Sequence, residues 1–138
     1  MYQVVFLDKG KVEFMEGNEK LSENFAVKEF ACKDGDEIIV VTQGIIDIAQ
    51  KIRDKVGAIT ISSGFRTLSH NEATPNAAKY SRHMYGDAVD IRTPKGWTDE
   101  NFLIEVILLL GEEHGFGLYN GRIHVDDRGH KVFWDSRS

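Results

Sequence analysis

Apolar residues at Ile38, Val41, Ile45, Ile48, Ala49, Ile52 and Val56 keep the spacing of one helical face, and Gly57 follows them. The pattern predicts a helix over 38–56, closed by the glycine. A second helix is expected from Asp99 to His114, with Thr98 as its cap, Asp99 and Glu100 in its first turn and Gly115 at its end. Its apolar residues, Phe102, Leu103, Ile104 and the run Val106 to Leu110, go almost all the way round, which predicts burial on more than one side. Residues 2–15 alternate around Asp8-Lys9-Gly10-Lys11, the pattern of a hairpin added at an edge. Ala58-Ile59-Thr60-Ile61-Ser62 reads as a buried strand stopped by Ser63-Gly64, and 87–92, 117–119, 122–126 and 131–134 read as short strands. Between them, 67–85 is polar, contains Pro75 and has room for one short helix near 69–73. Helices and strands do not alternate strictly, so the expected fold is α+β, a small antiparallel or mixed sheet with flanking helices.

Length and composition narrow the picture. At 138 residues, 41% hydrophobic and 28% charged, with two prolines and no low-complexity run, the chain reads as a single domain, 1–138, that can bury a core without disulfides. Its formal charge of −5 and the lack of a Lys/Arg cluster along the sequence argue against nucleic acid as a partner. Cys32 is the sole cysteine, so a metal site would have to draw on His, Asp or Glu. The amino terminus lacks a basic start and a long apolar run, and Val106 to Leu110 is far too short to cross a bilayer. No stable membrane insertion is expected, and the chain is expected to be cytoplasmic at synthesis.

Metal-ligand chemistry is visible in one place. Strand side chains alternate between faces. In Ala88-Val89-Asp90-Ile91-Arg92, Val89 and Ile91 would enter the core and leave Ala88, Asp90 and Arg92 on the other face. In Arg122-Ile123-His124-Val125-Asp126, Ile123 and Val125 would do the same and leave Arg122, His124 and Asp126. If the two strands are neighbours, Asp90 and His124 share a face, and His83 can come down from the loop to join them. Either histidine alone reads better as an ordinary polar residue than as a ligand. Together, two imidazoles and a carboxylate are the ligand set of a catalytic zinc site, which keeps a position open for water.

The order Ser81-x-His83-x-x-Gly86-x-Ala88-x-Asp90, followed by His124-x-Asp126, resembles the motif of the zinc D-alanyl-D-alanine carboxypeptidase and L-alanyl-D-glutamate endopeptidase family of phage and bacterial cell-wall peptidases, which shares its fold with the hedgehog signalling domain. The resemblance extends through Ser62-Ser63-Gly64-Phe65-Arg66-Thr67 and His70-Asn71, and weakly through Phe25 to Cys32, so that a core of 24–127 matches and 1–23 stands as an N-terminal hairpin addition. It implies a hedgehog/DD-peptidase-like fold with zinc on one sheet face, held by His83, Asp90 and His124. It also implies a role for Arg66 in binding the substrate carboxylate or polarising the scissile carbonyl, and for Ser81 in orienting the loop beside the substrate.

The chain departs from the family at one point. Several branches carry a Glu or Asp a few residues before the last zinc histidine as general base, where this chain has Tyr119-Asn120-Gly121. Asp126 is left as catalytic base or as a partner that orients a ligand. Tyr119 is a candidate for oxyanion contact, Asp87 for proton handling and His70 for substrate contact, each with an ordinary packing or surface reading beside it. The resemblance implies hydrolysis of peptide bonds in peptidoglycan stem peptides or cross-links, and a wall substrate together with no signal at the amino terminus leads to the expectation of release by lysis. The alternative is a zinc-stabilised binding module without turnover.

Overall fold

A computed structural model describes residues 1–138, whose eight strands form two mixed sheets. The first sheet contains β1 (Tyr2–Phe6), β2 (Lys11–Met15) and β3 (Ile38–Val41) in the order β2-β1-β3. The expected hairpin is there, but β1 is not at an edge: it pairs antiparallel with β2 and parallel with β3, and its Val4 and Phe6 are buried in the core.

The first helix starts later than its periodicity predicts. Ile38-Ile39-Val40-Val41 is a run of β-branched side chains, which suit the pleated surface beside β1 better than a helical turn. The helix, α1 (Gln43–Val56), begins after Thr42, whose Oγ1 accepts from the Ile45 N–H at 3.1 Å. Val41 is buried from the strand and Ile45 from the helix, so the apolar spacing runs unbroken across the junction.

The second sheet has the order β4-β5-β7-β6-β8, from β4 (Ile61–Ser63), β5 (Ala88–Arg92), β6 (Gly115–Tyr119), β7 (Arg122–Asp126) and β8 (Val132–Asp135). β4 is shorter than expected and begins at Ile61. Between β4 and β5 lie α2 (Leu68–Ala73), the loop 74–80 and a 3-10 turn over Arg82–Tyr85. The other helix, α3 (Asp99–Leu110), stops before the predicted His114. Gly111 takes φ +86° and donates its N–H to the Ile107 carbonyl, which leaves Gly115 to open β6. α3 packs one side against β6 and β7, burying Phe102, Leu103 and Val106, while Ile104 and Leu108 are 55% and 76% exposed. Ile107, Leu109 and Leu110 are half-buried against the core and α3 also meets α1, so burial reaches beyond one stripe but stops short of Ile104 and Leu108.

Val89, Ile91, Phe116, Leu118, Ile123 and Val125 are all buried in the core. The intervening residues Ala88, Asp90, His124, Asp126, Gly115 and Gly117 form the other face, where Asp90 lies opposite His124 and His124 lies opposite Gly117. No helix is long and apolar enough to cross a membrane.

Candidate metal centre

Gly86 positions the first histidine. With φ +71°, it ends the 3-10 turn at a point where a Cβ would collide with the Val40 carbonyl, and its own carbonyl accepts from the Thr42 N–H at 3.0 Å. The turn is thereby fixed against β3. At its other end the Ser81 hydroxyl accepts from the His83 N–H at 3.3 Å. This bond ties Ser81 to the turn carrying His83, and Ser81 also lines the adjoining cavity.

His83 Nδ1 donates to the Gly64 carbonyl at 2.7 Å, so Nε2 carries the lone pair and faces Asp90 Oδ1 at 3.1 Å. On β7, His124 stands between two carboxylate oxygens, with Nε2 2.7 Å from Asp126 Oδ2 and Nδ1 3.0 Å from the same Asp90 oxygen; the hydrogen on Nε2, the closer contact, leaves Nδ1 as the lone-pair donor. The three side chains are 2%, 4% and 5% exposed for His83, Asp90 and His124, and their ligand atoms all lie within 4.8 Å of one another. Each ring thus has its outer nitrogen tied to an oxygen, the arrangement that fixes tautomer and orientation in metal-binding histidines.

This geometry fits a cation. With both outer N–H groups committed, three lone-pair donors converge with no hydrogen among them unless a histidine takes a second proton. Burial lowers the His83 pKa and disfavours its protonated form. Burial also opposes charge on His124, but its hydrogen bonds to Asp126 and Asp90 outweigh this and raise its pKa. The Asp90 carboxyl is penalised by burial too, yet His83 and His124 hold it well below the usual carboxylate range. A proton on His124 therefore competes with a metal for the centre. The expected result is zinc affinity that climbs with pH as His124 gives up its second proton, with proton release on binding, and that levels off above the raised His124 pKa. Competition titrations over a series of pH values check it, and a flat profile would contradict it.

Asp126 is wholly buried, and both its oxygens are engaged. Besides His124 it accepts from Arg128, whose Nε lies 2.8 Å from Oδ1 and whose second guanidinium nitrogen lies 2.7 Å from Oδ2. Burial opposes its charge, but Arg128 and His124 hold its pKa far below the ordinary value. Asp126→Asn should weaken zinc binding by about 10- to 100-fold, the usual cost of losing a carboxylate behind a ligand histidine. Unchanged affinity in a zinc titration would exclude that orienting role.

The other oxygen of Asp90 faces two arginines, with the nearest guanidinium nitrogens of Arg66 and Arg122 at 3.6 and 3.7 Å. Arg66 is held from behind by Asn71 Oδ1 at 3.2 Å, and Asn71 in turn donates to the Ala78 carbonyl at 2.9 Å, tying the 74–80 loop to the same group. The Tyr119 hydroxyl accepts from Trp134 Nε1 at 2.8 Å, and the Trp134 ring sits 4.9 Å from that of His124. Gly117 makes that approach possible, since a Cβ there would lie 2.5 to 2.7 Å from atoms of the Trp134 ring. Arg66, Ser81, Tyr119, His83, Asp90 and His124 all line one cavity of about 780 Å³. Asp126 stands behind His124, outside that lining.

Two weaker candidates are placed elsewhere. Asp87 is buried and paired with Arg82, whose Nε lies 3.0 Å from Oδ1. His70 belongs to α2, where its N–H donates to the Thr67 cap at 3.1 Å, and it does not line the cavity. Sequence reasoning assigned no role to Arg122, Arg128, Trp134 or the Gly64 carbonyl. The alternation that put His124 on the site face also put Arg122 there; nothing in spacing marks Trp134, which reaches the site through the parallel pairing of β8 with β6.

No curated protein and no solved structure matches the chain. A family model does: Peptidase M15, over residues 23–126. That match runs through the Val27–Phe30 turn, the arginine after β4, the His83 loop and both ligand-bearing strands, covering most of the sequence, and the chain therefore belongs to the Peptidase M15 family.

Proposed function

We propose that the protein is a zinc peptidase acting on peptide bonds of peptidoglycan stem peptides or cross-links. The observation that carries this reading is the pair of histidines with tied outer nitrogens, aimed with Asp90 at one point beside a large cavity. His83, Asp90 and His124 hold the metal. Zinc bound there supplies Lewis acidity, which polarises a carbonyl and makes water nucleophilic near neutral pH.

The remaining roles belong to side chains. Arg66, braced by Asn71, presents a fixed guanidinium fork to the substrate carboxylate or to the oxygen of the scissile carbonyl. The Tyr119 hydroxyl accepts from Trp134, so its own hydrogen is free to be donated to an oxygen in the cavity. Asp126 fixes the His124 tautomer and is not the proton acceptor, because Arg128 and His124 occupy both its oxygens. Ser81 keeps the His83 turn in place.

A zinc-stabilised binding module is the second reading, and one observation favours it: Asp90 is the sole carboxylate lining the cavity. Mass spectrometry of purified peptidoglycan treated with the zinc-loaded protein separates the two. Free D-alanine would mark a D-Ala-D-Ala carboxypeptidase, and new L-alanine carboxyl ends with D-glutamate amino ends would mark an L-Ala-D-Glu endopeptidase. Retention on peptidoglycan with no new ends would reject the peptidase and select the module.

A further inference from the structure

The cavity lining carries four guanidinium groups, those of Arg66, Arg82, Arg122 and Arg128, against one carboxylate, Asp90, in a chain whose net charge is −5. Two of the four are spoken for, Arg82 by Asp87 and Arg128 by Asp126. Arg66 has Asn71 and faces Asp90. Arg122 is different. It makes no side-chain hydrogen bond, stands 3.7 Å from an Asp90 oxygen that Arg66 also faces, and is 41% exposed. Its guanidinium lies over the Tyr119 ring, 4.3 Å from the centroid, which holds the fork in place without using its donors. Asp90 answers to two imidazoles and two guanidinium groups, so its single charge does not neutralise both arginines.

We propose that Arg122 is a specificity-determining residue that binds a second carboxylate of the substrate, on the β7 side of the metal centre. The inference rests on the peptidase reading and narrows it: the favoured substrates are peptides with a free side-chain or branch carboxylate near the scissile bond, over those in which that group is an amide. A guanidinium with unused donors, preorganised over an aromatic ring and half out of water, gains a bidentate charge-assisted pair from a carboxylate and much less from a neutral amide.

Calorimetry with glutarate and its monoamide, glutaramate, tests this on the purified protein with its zinc content measured alongside. The wild type should bind glutarate about tenfold more tightly than glutaramate, the scale of one charge-assisted hydrogen-bonded pair. Arg122→Gln should collapse that ratio to near one, and Arg122→Lys, which keeps the charge, should restore part of it. A residue that merely positioned Asp90 would alter zinc content and leave the ratio intact. Equal affinities in the wild type, or an undiminished ratio in Arg122→Gln, would overturn the proposal. Zinc present without a preference would reject the carboxylate site and leave the peptidase reading standing, whereas a preference that needs Arg122 in protein that binds no zinc would do the reverse.

Discussion

His83→Ala should take zinc from about one ion per chain to a small fraction of that, and peptide hydrolysis should fall with it, because a catalytic zinc site has only three protein ligands to begin with. The substitution deletes the donor that the Gly64 carbonyl orients and leaves Asp90 and His124 as a two-ligand remnant. The fold should survive better than the site. Ser81 and Gly86 hold the 3-10 turn through main-chain groups, namely the His83 N–H to the Ser81 hydroxyl and the Gly86 N–H to the His83 carbonyl. Elemental analysis of the purified variant, with circular dichroism to verify folding, reads the result. Stoichiometric zinc in a folded His83→Ala protein would remove His83 from the ligand set.

Arg66→Ala should do the opposite to metal and chemistry: zinc retained, hydrolysis reduced by about 10²- to 10³-fold, the range for removing one preorganised donor from a developing oxyanion. The loop has its own support, since the Arg66 main-chain N–H donates to the His83 carbonyl at 3.1 Å whatever the side chain. Arg122 also remains beside Asp90. Steady-state kinetics on the zinc-loaded variant check this, and the split between kcat and KM reports whether Arg66 acts on the reacting carbonyl or on a ground-state carboxylate. Undiminished hydrolysis would refute either role.

Two of the three candidate ligands, Asp90 and His124, were legible in the sequence because strand alternation is a local rule and the two strands pair in register. Val89, Ile91, Ile123 and Val125 go inward, so Asp90 and His124 must share the opposite face, and their pairing sets them directly across from each other. Other features depend on information that local pattern does not carry. Ile38–Val41 keeps helical spacing by coincidence, and its strand is decided by β1, more than thirty residues earlier in the chain. The end of α3 turned on which of two glycines takes a positive φ; Gly111 does. The absence of a basic cluster along the sequence was likewise a poor guide to the cavity, because Arg66, Arg82, Arg122 and Arg128 gather only after the two halves of the second sheet assemble. Asp126 shows the limit from the other side: alternation put it on the metal face, but only its pairing with both His124 and Arg128 shows that neither oxygen is free.

X-ray absorption at the zinc edge of the purified, zinc-loaded chain reads the ligand set itself. Nitrogen and oxygen donors at about 2 Å are expected, with outer-shell scattering from two imidazole rings and no sulfur. A sulfur donor, which only Cys32 or a methionine could supply, or scattering from fewer than two imidazoles, would contradict the assignment of His83, Asp90 and His124 as the metal ligands.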